Sequence, residues 1–238
     1  MKTVKNLFLY LFLAIVGISM TTRANGSDKT EFRKAESFTG IKVSTGIDLY
    51  VRMGDTEEVK VVADDDIIDN LITEVINGEL RIYMKKTNWF NWSGMTKTRK
   101  VYVTVKELKK IDASSGSDVR SENTITGESL VIEASSGSDV VLDLVCKNIS
   151  VNTSSGSDAK LTGKAKTLKA EASSGSDINA RDLATSVCYA NASSGSDITV
   201  NVSDELVARA SSGSDIRYYG NPGIKDTDES SGGDVSRR

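Results

Sequence analysis

The chain reads as an all-β protein, a single-stranded right-handed parallel β-helix. Three observations carry that reading. The pentapeptide Ser-Ser-Gly-Ser-Asp occurs six times, from Ser114–Asp118 to Ser211–Asp215, and returns as SSGGD at Ser230–Asp234. Its aspartates are Asp118, Asp139, Asp158, Asp177, Asp197, Asp215 and Asp234, separated by 21, 19, 19, 20, 18 and 19 residues. A period near nineteen is too short for a pair of helices and suits one coil of a β-solenoid. Apolar residues alternate on both sides of each motif, as in Leu168, Ala170, Ala172 before it and Ile178, Ala180 after it. Period-two alternation marks strands with one buried face, and the alanines fit a narrow interior.

In chain order, residues 1–24 read as a signal peptide. Lys2 and Lys5 precede an apolar run from Leu7 to Met20, and Thr22-Arg23-Ala24 offers small residues where a signal peptidase cuts. The run is short and wrongly flanked for a membrane span, and no later stretch replaces it. Export to the periplasm, the outer cell surface or the medium is the expectation. Removing the leader leaves 27 basic against 33 acidic side chains, a charge of −6. That balance argues against nucleic acid, which needs clustered Lys and Arg. The chain has no histidine, which removes the commonest general base and metal ligand.

Residues 25–37 are expected to form a polar, mobile leader, and residues 38–238 a single β-helix domain. Its part from 38 to 107 reads as irregular, and 108–235 as regular coils. In FTGIKVSTGIDLYV, from Phe38 to Val51, Asp48 takes the aspartate slot and Gly46 the glycine slot of an older spelling of the repeat. Val59–Ala63 reads as a strand, and Asp64-Asp65-Asp66 before Ile67, Ile68 and Leu71 reads as one or two helical turns. Asn77-Gly78 between Thr73–Ile76 and Glu79–Met84 predicts a hairpin with a type I′ turn. Residues 85–100 are a loop or hairpin tip holding both tryptophans, and Val101–Val105 is a strand.

In the regular part, Gly116, Gly137, Gly156, Gly175, Gly195 and Gly213 sit where the backbone turns through φ angles other residues resist. Seven coils at ~4.8 Å rise give a prism about 30 Å long. Parallel crossovers make it right-handed. The motifs stack, so neighbouring aspartates repel by about 1 kcal/mol in water and more if partly buried. The expected compensation is local, with each carboxylate accepting from turn N–H groups and serine hydroxyls. A calcium ion between coils and a water-ordering serine ladder are the alternatives, and no metal or cofactor is assigned. Cys188 falls in the slot of Leu130, Ile149, Leu168 and Leu206, whereas Cys146 lies on another part of the coil. Two coils apart is about 10 Å, beyond disulfide reach, so both are expected to be free and buried.

The run FTGIKVSTGIDLYV, the acidic turn ADDDIIDNL, the hairpin INGELRIYM, the VYVTV strand and the serial SGSD coils together resemble the head GIN domain family of auto-transporter adhesins. The likeness covers about residues 38–235. It implies the same right-handed β-helix and attaches no catalytic residue.

A non-enzymatic binding or structural module of the bacterial cell envelope is therefore expected, with a glycan or an envelope protein as partner. Trp89, Phe90 and Trp92 are the candidate contact, since aromatic faces stack on sugars and dominate interfaces; their alternative role is to cap the N-terminal end of the core. Self-association through the coil ends is a further expectation, because the last motif ends without an obvious cap. An enzyme acting on polysaccharides is the competing reading. It needs paired carboxylates in irregular loops, and Asp64, Asp65, Asp66 and Asp69 form the acid cluster outside the ladder.

Overall fold

A computed structural model describes residues 28–85 and 97–238. The N-terminal part holds β1 (Asp28–Arg33), β2 (Gly40–Val43), β3 (Asp48–Met53) and β4 (Glu58–Asp64). After a 3-10 turn at Ile68–Asn70 come β5 (Leu71–Ile76), β6 (Glu79–Met84) and β7 (Arg99–Val105). The coils begin with β8 (Lys110–Ser114), β9 (Asp118–Ser121) and β10 (Ile125–Ser135). Each of the next coils is one long bent strand: β11 (Asp139–Ser154), β12 (Asp158–Ser173), β13 (Asp177–Ala192) and β14 (Asp197–Ser211). The chain closes with β15 (Asp215–Tyr219), β16 (Ile224–Ser230) and β17 (Asp234–Arg237). The result is a parallel β-solenoid of about seven turns.

Two stacks of strands make the walls. The first leg of each coil follows the aspartate, and its stack runs β1, β4, β7, β3, β9, β11 through β14, β15, β17. The second leg precedes the next corner, and its stack runs β5, β6, β2, β8, β10, β11 through β14, β16. Coil-to-coil pairing is parallel, and β1–β4, β4–β7 and β5–β6 are antiparallel, so the N-terminal end is closed by hairpin-like ribbons. One apolar core fills the interior from Phe38 to Tyr218. Alternation predicts its contents: Ile178, Ala180, Cys188, Ala190 and Ala192 of β13 are all buried.

Several expectations hold in detail. Asp48 pairs with Asp118 in register, so STGID is the first rung of the ladder. Asn77 and Gly78 have φ of 53° and 75°, the two left-handed positions of the I′ hairpin. Cys188 stacks between Leu168 and Leu206, Cys146 stacks on Ala165, and both cysteines are free. Burial pushes the Cys188 thiol up to about 12, so it behaves as a small hydrophobe.

Two expectations are corrected, one at each end of the solenoid. Within the polar leader assigned to 25–37, residues 28–33 are β1, paired over six residues with β4. Arg33 anchors it, donating to the carbonyl oxygens of Leu71 and, at 2.9 Å, Ile68, while Glu31 accepts from Arg33. A polar sequence is ordered here because those charges meet one another and the carbonyls of Ile68 and Leu71. Of the one or two helical turns expected after Asp66, one is present, as the 3-10 turn at Ile68–Asn70. The C-terminal end also has a chemical cap. Lys225, Thr227 and Glu229 stand in register with the core residues Leu206, Ala208 and Ala210. The last second-leg strand thus turns polar where the earlier ones are apolar but for Thr153, as terminal repeats of solenoids do.

Candidate functional site

The corner is built from two consecutive left-handed residues. The second serine of each motif has φ between 50° and 59°, and the glycine after it between 66° and 80°. Sequence reasoning placed the unusual conformation on glycine alone; the serines share it at six regular corners, and Thr45 does so at the first. This geometry lets the backbone ladder continue around the corner. Each corner glycine N–H donates to a serine carbonyl of the next coil, as in Gly137 to Ser155 at 3.2 Å. Each ladder aspartate N–H donates to the coil before, as in Asp139 to Ser117 at 3.2 Å.

The third serine points inward. Ser117, Ser138, Ser157, Ser176, Ser196 and Ser214 are fully buried. Their hydroxyls satisfy backbone groups, as buried polar atoms must. Ser196 Oγ accepts from Ser193 N–H at 3.1 Å and donates to Ala172 O at 2.8 Å. Ser214 repeats the pattern with Ser211 N–H and Ala192 O. No serine hydroxyl reaches a ladder carboxylate among the described residues, so the expected Ser–Asp turn is replaced by a Ser–backbone clamp.

The aspartates Asp48, Asp118, Asp139, Asp158, Asp177, Asp197, Asp215 and Asp234 stand in one register column. Burial first, then the neighbouring Asp139 and Asp48, push the Asp118 carboxyl above its usual range. Burial, with Asp158 and Asp197 adding, raises Asp177 as well. Hydrogen bonds and ion pairs offset the repulsion, Arg120 lying 4.0 Å from Asp118 among them. Asp158 and Asp177 each accept the N–H of the next aspartate, at 3.3 and 3.2 Å. Arg217 bridges Asp197 at 3.0 Å and Asp215 at 2.7 Å. Among the described residues no three His, Cys, Asp or Glu side chains converge closely enough to hold a metal ion. Chemically the column is a single file of carboxylates, each facing its like.

Outside the corner, each leg presents a different surface. On the first leg, Tyr50 and Tyr102 stack with centroids 4.8 Å apart, and Lys60 lies 4.0 Å over Tyr102. Phe32 continues that register column beside Lys60 and is 66% exposed; Arg120 follows Tyr50 at the other side. On the second leg a shallow groove of about 400 Å³ runs across the coils, lined by Lys42, Asp112, Ser114, Glu133, Ser135 and Asn152 among others.

The profile described as "Putative auto-transporter adhesin, head GIN domain" matches residues 37–222 of this chain. The chain belongs to the head GIN domain family. Solved structures share the fold seen here. A protein from Bacteroides fragilis described as a putative adhesin superposes with a TM-score of 0.83 at 22% identity, over 90% of this chain and 98% of that one. One from Parabacteroides distasonis, described as a putative lipid binding protein, gives 0.68 at 19% identity over 90% and 98%. A putative adhesin from Parabacteroides merdae gives 0.68 at 17% over 90% and 97%. At these identities the likeness is one of fold. Among curated proteins none matches.

In this head GIN domain the sequence-predicted contact residues Trp89, Phe90 and Trp92 lie outside the described residues. Of the acid cluster, Asp66 pairs with Lys97 and Asp69 lies in the 3-10 turn. The groove on the second leg escaped sequence reasoning, because its lining comes from positions about nineteen residues apart. Its signal was the first serine of each motif, Ser114, Ser135 and Ser154, which alternation places outward.

Proposed function

We propose that this head GIN domain is an exported, non-enzymatic binding module of the bacterial cell envelope. The observation that carries this is the uniformity of the solenoid. Corner carboxylates recur once per coil in one register column on the same repeated turn, as scaffold positions do, whereas a catalytic site is a singular pair of acids set apart by its environment. Groove and tyrosine stack are open surfaces, suited to lying against an extended partner. The family description supports an adhesive role, and the basic-apolar leader of residues 1–24 supports export. Fold likeness by itself assigns no activity.

Three measurements test this reading. Fractionation of producing cells should find the processed chain beyond the inner membrane, with residues 1–24 removed. Processed protein on an array of envelope glycans and proteins should bind at least one class. Incubation with acidic polysaccharides should release no new chain ends; release of ends would replace the binding reading with an enzymatic one.

A further inference from the structure

We infer that the groove on the second leg is a binding track for an uncharged linear glycan running along the solenoid axis. This rests on the binding-module reading and names its ligand class and seat. Two register columns form the track. One carries Ser114, Ser135 and Ser154; the other carries Lys42, Asp112, Glu133 and Asn152. The coils of β8, β10 and β11 therefore each offer one hydroxyl and one carboxylate or amide, repeated every ~4.8 Å, close to the length of a sugar ring.

The charges on the track cancel. Lys42 pairs with Asp112, and Lys110 pairs with Glu133 at 2.8 Å. Each carboxylate is engaged through one oxygen, which leaves the other to accept from a sugar hydroxyl. The hydroxyls of Ser114, Ser135 and Ser154 and the amide of Asn152 add donors and acceptors without charge. An anionic chain gains nothing on such a surface. A peptide gains little either, because the strands beneath already pair on both sides in the parallel ladder and no edge is offered. Dense, regularly spaced neutral hydrogen-bonding groups fit a polyol. Past Lys42 the same face continues into a smaller hollow of about 220 Å³ with Ser44, Arg81 and Tyr83. From β6 through β2, β8 and β10 to β11 the track crosses five strands, about 20 Å.

The test is calorimetric titration of the processed protein with neutral hexasaccharides of β-1,4- and β-1,3-linked glucose, mannose and N-acetylglucosamine, and with oligogalacturonate as the anionic probe. The expected result is binding of a neutral hexasaccharide, tighter than its trisaccharide. Ser135→Trp, which fills the groove from an outward strand position, should weaken it at least tenfold. Asn152→Ala should weaken it about three- to tenfold, the loss of one or two neutral hydrogen bonds. Lys160→Ala, on the first leg, should leave it unchanged. Ser114→Trp serves if melting shows that Ser135→Trp disturbs the fold. Neutral binding that survives the groove variants overturns the track and leaves the module reading standing. Binding of oligogalacturonate alone, or of no hexasaccharide, also overturns it; silence on the envelope array as well removes both readings.

Discussion

Ser196 Oγ lies 2.8 Å from the carbonyl oxygen of Ala172, a residue of the preceding coil, and donates to it. The same oxygen of Ala172 accepts the N–H of Ser193 at 3.0 Å. One buried hydroxyl thus ties a corner both to itself and to the coil beneath it. Ser138 with Ala113 and Ser214 with Ala192 repeat the link, so the column of buried serines is a polar seam inside an apolar core.

Serines three residues apart should therefore behave differently. Ser196→Ala removes the clamp, but Ser193 N–H keeps Ala172 O, so no donor is stranded. The loss should be about 1–2 kcal/mol. Ser193→Ala removes an outward hydroxyl and should stay within about 0.5 kcal/mol. Urea midpoints of the two variants decide it; equal midpoints would deny the clamp.

Glycines rank in the opposite order to their conspicuousness. At Gly175, in the repeat, an added Cβ meets nothing within 4 Å, so Gly175→Ala carries only the left-handed penalty of about 1–2 kcal/mol. At Gly163, φ is 106° and a Cβ would sit 2.1 Å from Leu144 O in the neighbouring coil. Gly163→Ala forces coil against coil and should lower the melting temperature by at least twice as much as Gly175→Ala.

The aspartate ladder predicts an unusual pH response. Asp177 has its carboxyl raised by burial and by its neighbours. The folded state then holds the proton more tightly than the unfolded chain. Stability from this group is therefore greatest below the carboxylate range and falls as pH rises through it. Asp177→Asn keeps an acceptor for Asp197 N–H and removes the charge. The variant should melt higher than the parent at pH 7, with the difference vanishing near about pH 3. A lower melting point at pH 7 would show that Arg217 and the N–H bond outweigh the repulsion. Glu31 and Asp226, held below their usual range by Arg33 with Lys29 and by Arg209, contribute in the opposite sense and lose their stabilisation on acidification.

Polar residues at the inward positions of β16 should keep the C-terminal end from stacking. Lys225→Leu, Thr227→Val and Glu229→Leu together extend the Leu206, Ala208 and Ala210 columns to an exposed apolar end. Sedimentation should show concentration-dependent association of the triple variant and none of the parent. A monomeric triple variant would assign the block to the charged edge of β16 instead.

The sequence by itself determined the period, the inward face of each strand, the corner glycines, the Asn77-Gly78 hairpin and the separation of Cys146 from Cys188. All of these follow from local rules: alternation, left-handed turn chemistry and equal spacing. Only the tertiary structure decided which serine of each motif is buried, why Gly163 matters more than Gly175, and how β1 is held by Arg33. It alone brought Tyr50 beside Tyr102 and opened a groove along the column of Ser114, Ser135 and Ser154. In a solenoid each contact between coils joins residues about nineteen positions apart, or some fifty for Tyr50 and Tyr102. A serine that clamps the coil beneath it and a serine that faces water are therefore spelled alike, and only stacking distinguishes them.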